Sequence, residues 1–177
     1  MKKLVVVIAI ALMSTSMAPA HSAKSTLEST LEKCSFINRS LADKTPPLPC
    51  LDGSIGVSIS AIRGPAIINV WGSWCGPCRQ EMPYLVAFNK KYGNQVQLIG
   101  VDVSESSPAD GQKFVKEHGM AWPNLFDVGG STKSTFGMGV PITWFVDAKG
   151  KVLYKKIGVL SSQKELISLS KKYLGIK

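Results

Sequence analysis

Hydrophobic positions recur along this chain with changing spacing, and each change predicts an element. The run Ala66-Ile67-Ile68-Asn69-Val70-Trp71 is apolar with β-branched side chains, as a buried central strand requires. A helix is predicted from Cys75 to about Tyr92. Gln95 to Val103 repeats the buried-strand pattern, Pro108 to His118 reads as a helix opened by proline, and Ser131 to Phe136 as a short helix ended by Gly137. Ile142 to Asp147, the turn Ala148-Lys149-Gly150-Lys151 and Val152 to Lys156 form a hairpin. A last helix spans about Ser161 to Leu174, with Ser161 or Ser162 as its cap. The order strand, helix, strand, helix, strand, strand, helix predicts an α/β fold, a mixed central sheet with helices on both faces.

Upstream the pattern weakens. Gly56-Val57-Ser58-Ile59-Ser60 alternates as a strand does and follows the turn Leu51-Asp52-Gly53-Ser54, so an N-terminal hairpin extension is expected. Thr45-Pro46-Pro47-Leu48-Pro49 cannot be helical, whereas Leu27, Leu31 and Cys34 have weak helical spacing. At the start, Lys2 and Lys3 precede the apolar run Leu4 to Met13 and the small residues Ala18-Pro19-Ala20 and His21-Ser22-Ala23, the three-part pattern of a secretory leader. The apolar run is about half of the roughly 20 residues a membrane helix needs, which favours cleavage over an uncleaved anchor. The expected division is a signal peptide at 1–23, a short helix and linker at 24–47 and one main domain at 48–177. About 155 residues remain after the leader, enough to bury a core without help from disulfides.

The charge is +9, from 21 Lys and Arg against 12 Asp and Glu. Two of those lysines lie in the leader, which leaves +7 on the remainder. The excess is scattered over surface positions from Lys90 to Lys172, fits nonspecific attraction to anionic membranes or acidic partners, and carries no nucleic-acid motif. An extracytoplasmic location follows from the leader: periplasm, cell envelope or secreted.

Chemistry concentrates at Cys75-Gly76-Pro77-Cys78, placed where a buried strand ends and a helix begins. Free amides and a partial positive charge at a helix N-terminus favour a thiolate at Cys75, and a thiolate is the species that attacks a disulfide. Pro77 suits the first turn because it lacks an amide hydrogen, and Gly76 lets a partner's backbone approach. Cys75 is the expected exposed attacker and Cys78, one turn deeper, the resolving thiol. A zinc site would need two further ligands; Cys34 and Cys50 are not spaced as Cys-x-x-Cys, and His118 stands alone.

Trp71-Gly72-Ser73-Trp74-Cys75-Gly76-Pro77-Cys78-Arg79-Gln80-Glu81-Met82-Pro83 resembles the active-site segment of the thioredoxin superfamily. It resembles more narrowly that of the exported TlpA, ResA and DsbE group of disulfide reductases. The resemblance runs from residue 46 to 177 and includes Gly139-Val140-Pro141-Ile142-Thr143-Trp144-Phe145-Val146-Asp147. It implies a thioredoxin-like fold, a cis Pro141 facing the cysteines, and substrate contacts at Trp74, Gly76, Pro77, Val140 and Pro141. It further implies disulfide-containing protein substrates, a membrane thiol-disulfide electron donor, and apocytochrome c maturation as a specific use. No cofactor or metal and no nucleic acid is expected, and the chain is expected to be a monomer.

Thioredoxins carry a buried aspartate six residues before the first cysteine, where this chain has Asn69. The similar exported proteins place a glutamate three residues after the second cysteine, and Glu81 stands there. Residues three apart share a helix face, so Glu81 is a candidate to take the proton of Cys78; the alternative is a solvated glutamate favoured by the helix dipole. Arg79 either adds positive potential near the thiolate or is a plain surface residue. Pro83 predicts a kink.

Cys34 and Cys50 remain. In an oxidising compartment with one local redox pair, the sensible partner of each is the other, as a structural disulfide; two free buried thiols are the alternative. A disulfide-forming oxidant, a peroxidase and a copper-delivery protein of the same superfamily are competing functions. Peroxidatic sites lack this vicinal pair, and the copper proteins space their cysteines by three residues.

Overall fold

The computed structural model describes residues 31–43, 45–137 and 139–177. The leader expected at 1–23 and most of the N-terminal helix expected from residue 24 lie outside these residues. From residue 31 to 47 the described chain holds a single 3-10 turn, Cys34–Phe36. No helix among the described residues is long and apolar enough to cross a membrane.

The regular elements are β1 (Ala66–Trp71), α1 (Gly76–Tyr92), β2 (Gln97–Val103), α2 (Pro108–His118), β3 (Asn124–Asp127), α3 (Lys133–Phe136), β4 (Ile142–Val146), β5 (Val152–Ile157) and α4 (Gln163–Leu174). All six residues of β1 are buried, which fits its central place in the order β3-β2-β1-β4-β5. β1, β2 and β3 run parallel, so α1 and α2 serve as the crossovers that parallel neighbours require; β4 and β5 run antiparallel. β3 is absent from the pattern read in the sequence. Its four residues follow Pro123 and include two polar ones, too short a run to show a period.

Alternation along the strands divides the core. Ile67 and Trp71 of β1 and Leu98 of β2 pack with Met82, Leu85 and Phe88 of α1, Phe114 of α2 and Leu166 of α4. Ile68, Val70, Ile99 and Val101 point the other way, against Cys34, Ile37, Leu48, Val57 and Ile62, with Phe136 of α3 packed alongside. Three helices thus cover one face, and the N-terminal segment with α3 covers the other.

The expected N-terminal hairpin is reduced to one antiparallel pair, Leu48 with Val57, and Ile59–Ala61 closes into a 3-10 turn instead of continuing a strand. Residues 49–51 use their hydrogen bonds elsewhere: Phe126 N–H donates to Pro49 O at 2.9 Å and Leu51 N–H to Asn124 O at 2.8 Å. This segment covers the free edge of β3, where unpaired backbone groups would otherwise be left. Cys34 and Cys50 are joined by a disulfide within it.

Candidate redox site

β1 ends at Trp71, and three residues later Cys75 occupies the N-cap of α1, extended at φ −82° and ψ 107°. The Cys78 amide donates to Cys75 Sγ at 3.1 Å, the geometry by which a helix terminus holds a sulfur anion. Cys75 and Cys78 are joined as a disulfide with Cα atoms 5.3 Å apart. Cys75 is 3% exposed and Cys78 fully buried, so Cys75 is the outer sulfur, although far more covered than a freely exposed attacker. Gly76 and Pro77 are exposed, and a side chain at Gly76 would meet nothing within 4 Å, so the approach over this turn is open.

The loop before Cys75 is fastened at every residue. Trp74 is 57% exposed yet its Nε1 donates to Val103 O at 3.2 Å, and it lies so close over Gly72 that a Cβ there would be 2.6 Å from Nε1. Ser73 donates its amide and, at 2.8 Å, its hydroxyl to the Glu105 carboxylate. Arg79 donates to Ser73 O at 2.5 Å and lies over the Phe114 ring, 5.1 Å from its centre. Arg79 therefore ties the loop to α1, a role beyond both readings made from the sequence. Glu105 was not singled out there; its signal was an acid placed just after a buried strand.

Glu81 is fully buried, which removes the solvated reading. Its Oε1 accepts from Asn69 Nδ2 at 2.8 Å and its Oε2 from the Leu160 amide at 2.8 Å. Burial raises the carboxyl pKa to about 7, and the hydrogen bonds from Leu160 and Asn69 limit the rise. Asn69 Nδ2 also reaches Thr143 Oγ1 at 3.2 Å, and Asn69 Oδ1 has no hydrogen-bond partner among the described residues. The helix continues unbroken through Pro83.

The Val140-Pro141 peptide is cis, as the resemblance implied, and so is Gly64-Pro65, which was not anticipated. Pro141 leads into Ile142, paired with Val70 of β1, so this loop stands beside the one that carries the cysteines. A cavity of about 200 Å³ opens between Trp74 and Val140, walled by Val70, Val103 and Phe136 with Lys133 as its cation. Cys34, Cys50 and Asp52 lie close enough to offer three metal-ligand atoms, but the two sulfurs are bonded to each other and are not thiolates.

A second buried acid, Asp102 of β2, was missed. It is fully buried, and although neither oxygen makes a hydrogen bond of ordinary geometry among the described residues, Glu105 stands beside it; burial first, then the Glu105 charge and a hydrogen bond shared with that carboxyl, raise its pKa to about 9. An aspartate inside the apolar run Leu98 to Val103 was the available signal.

The AhpC/TSA family model matches residues 41–155, a stretch that holds both cysteines of the pair, Glu81 and Pro141. The chain belongs to the AhpC/TSA family. Among curated relatives, the thiol-disulfide oxidoreductase ResA of Bacillus anthracis is 33% identical over 105 residues, covering 58% of this chain and 60% of that protein. ResA of Geobacillus thermodenitrificans is 36% identical over 98 residues, 54% of this chain and 55% of that one. The chain thus spans about three fifths of the length of the curated relatives it matches. Among solved structures, DsbF of Mycobacterium tuberculosis superposes with a TM-score of 0.64 at 27% identity, covering 72% of this chain and 94% of that one. The fold is thioredoxin-like, as these neighbours show.

Proposed function

We propose that this AhpC/TSA protein is an exported thiol-disulfide oxidoreductase that reduces disulfides in extracytoplasmic proteins through Cys75 and Cys78. The observation that carries the reading is the Cys78 amide on Cys75 Sγ at the N-cap of α1, with the buried Glu81 carboxyl about one helical turn further on. The names of the ResA relatives support the reaction class, and the leader pattern at 1–23 supports export.

In the reduced protein the Cys75 thiolate attacks a substrate disulfide. A bond forms between Cys75 and one substrate sulfur, and the other substrate sulfur leaves as a thiolate and takes a proton. Cys78 then gives its proton to Glu81 and attacks Cys75 Sγ, which breaks the mixed disulfide, forms the Cys75–Cys78 bond and releases the second substrate thiolate. The proton on Glu81 accompanies that thiolate. The substrate gains two electrons and two protons, and a membrane dithiol donor must return the same to the protein. In this reading Trp74, Gly76, Pro77, Val140 and Pro141 are the substrate contacts, and the cavity between Trp74 and Val140 takes one substrate side chain. Apocytochrome c is the substrate suggested by the ResA and DsbE resemblance.

The direction follows from charge. The helix end stabilises a Cys75 thiolate, which pushes toward an oxidant, but Arg79 is spent on Ser73 O, and burial of Cys78 beside an acid disfavours a second anion. The pair therefore lies on the reducing side. Equilibration with glutathione or dithiothreitol buffers tests this: a midpoint above about −180 mV would overturn it in favour of the disulfide-forming oxidant. Trapping on a Cys78→Ser variant in the native cell would identify the substrates as mixed disulfides with Cys75.

A further inference from the structure

One polar row crosses the sheet through the otherwise apolar face beneath α1 and α4. Asn69 of β1 stands opposite Thr143 of β4, and Thr143 opposite Lys156 of β5. Asn69 and Thr143 are fully buried and hydrogen-bonded, and Asn69 holds Glu81, whereas the Lys156 side chain reaches the surface and is 25% exposed. There Lys156 Nζ meets Glu165 Oε1 of α4 at 3.1 Å. Glu165 Oε2 accepts from the Ser161 amide at 2.7 Å and the Ser161 hydroxyl at 2.8 Å. The preceding amide, that of Leu160, donates to Glu81 Oε2. Two successive amides are thus held by two carboxylates, one buried and one at the surface, and Lys156 anchors the second.

We propose that Lys156 and Glu165 are positioning residues for Glu81, fixing the Leu160-Ser161 segment so that the Leu160 amide stays on the buried carboxylate, and setting the charge at the surface end of the row. This rests on the reading that Glu81 carries the Cys78 proton. Helix capping alone does not account for the arrangement. Ser162 and Glu165 have the spacing of a capping box and Ser162 Oγ accepts from the Glu165 amide at 3.1 Å, but the Glu165 carboxylate reaches one residue past the Ser162 amide that such a box holds, to the Ser161 amide and hydroxyl, and so holds the segment that reaches inward.

The groups around Glu81 are Asn69 from β1, Thr143 from β4 through Asn69, Lys156 from β5 and Glu165 from α4, with Cys78 three residues earlier on its own helix face. Of these, with the cysteines bonded, Lys156 and Glu165 carry charge, and they act in opposite senses. The Glu165 anion favours the protonated form of Glu81 and the Lys156 cation the ionised form.

The test follows the Glu81 side-chain carboxyl by ¹³C NMR against pH in the oxidised full chain, in wild type, Lys156→Gln and Glu165→Gln. Removing the cation should move the midpoint up and removing the anion should move it down, each by a few tenths of a pH unit, the scale of a partly exposed pair. Glu165→Leu, which lacks an acceptor, should speed hydrogen exchange of the Leu160 amide several-fold, whereas Glu165→Gln keeps an acceptor oxygen and should not. Midpoints that stay fixed or move the same way in both charge variants overturn the proposal, as does unchanged Leu160 exchange in Glu165→Leu. Failure of the underlying reading looks different: Glu81→Gln would leave the pH profile of disulfide exchange unchanged, while the carboxyl titration of the other variants still reports on the ion pair.

Discussion

Asn69 and Glu81 meet inside the protein, amide Nδ2 to carboxylate Oε1 at 2.8 Å, although one lies on the central strand and the other on the helix that carries the cysteines. The amide cannot ionise, so the protonation of this buried site belongs to Glu81 alone. With burial raising its pKa to about 7, the carboxyl sits near its midpoint at neutral pH and can both take and return a proton. Glu81→Gln should slow reduction of a disulfide peptide by at least about tenfold and remove the titration near neutrality from the pH-rate profile. Stopped-flow rates between pH 5 and 9 measure both, and a profile that keeps its inflection would exclude the assignment.

Cys75 should be the sulfur that reacts first. It is the outer of the two, at 3% exposure against none for Cys78, and it alone receives an amide hydrogen bond from the first turn of α1. In the reduced protein iodoacetamide should label Cys75 at least about tenfold faster than Cys78 at pH 7, because the thiolate is the reactive form. Peptide mapping that finds the fast label on Cys78 would reverse the roles in the proposed mechanism.

The Cys34–Cys50 disulfide should stabilise without taking part in exchange. Cys34 and Cys50 are 0% and 4% exposed, and their bridge closes a segment of sequence separation 16 that covers one face of the sheet and the β3 edge. A loop of this size contributes about 3 kcal/mol in the chain-entropy account. Cys34→Ala/Cys50→Ala should therefore melt roughly 6–12 °C lower by calorimetry while keeping the exchange rate of the Cys75–Cys78 pair. Mild reduction of the wild type should expose two thiols to alkylation, both in the α1 pair; four would show that the second bridge is open to exchange.

The sequence made the site more legible than the cover around it. Cys75 and Cys78 lie where the strand and helix periods are strong, so their place at a helix start was legible from the pattern, whereas Pro141 and the joint reading of Asn69 and Glu81 were implied by the family resemblance, with the three-residue spacing adding only that Cys78 and Glu81 share a helix face. What spacing could not convey was burial, which decides whether Glu81 is a solvated end of a helix or an internal acid. β3 escaped because four residues after a proline carry no period, and the strand expected at 56–60 after the turn at 51–54 shrinks to the single pair Leu48 with Val57 because the alternation of Val57 and Ile59 serves packing beneath the sheet. Glu105 was missed for a related reason: its partners, the amide and hydroxyl of Ser73, are 32 residues away and become its neighbours only when β1 and β2 pair.

Asp102 carries the last prediction, because it is a buried acid beside the Glu105 carboxylate and has no part in the proposed exchange. It stands in register with Trp71 and presses on α2 so closely that a Cβ at Gly111 would lie 1.9 Å from its Oδ2. Burial raises its pKa from 3.8 to about 9, so the folded protein holds a proton that the unfolded chain has released over most of this range. The contribution of this group to stability is therefore complete below about pH 4 and is lost as pH rises toward 9, at a slope of up to about 1.4 kcal/mol per pH unit. Asp102→Asn keeps the shape and removes the charge. The variant should be more stable than wild type at pH 8, with an advantage that shrinks steadily as pH falls to 4. Urea denaturation at pH 4, 6 and 8 measures the difference directly. A gap that does not change with pH would mean that Asp102 is ionised in the folded protein and would overturn the prediction.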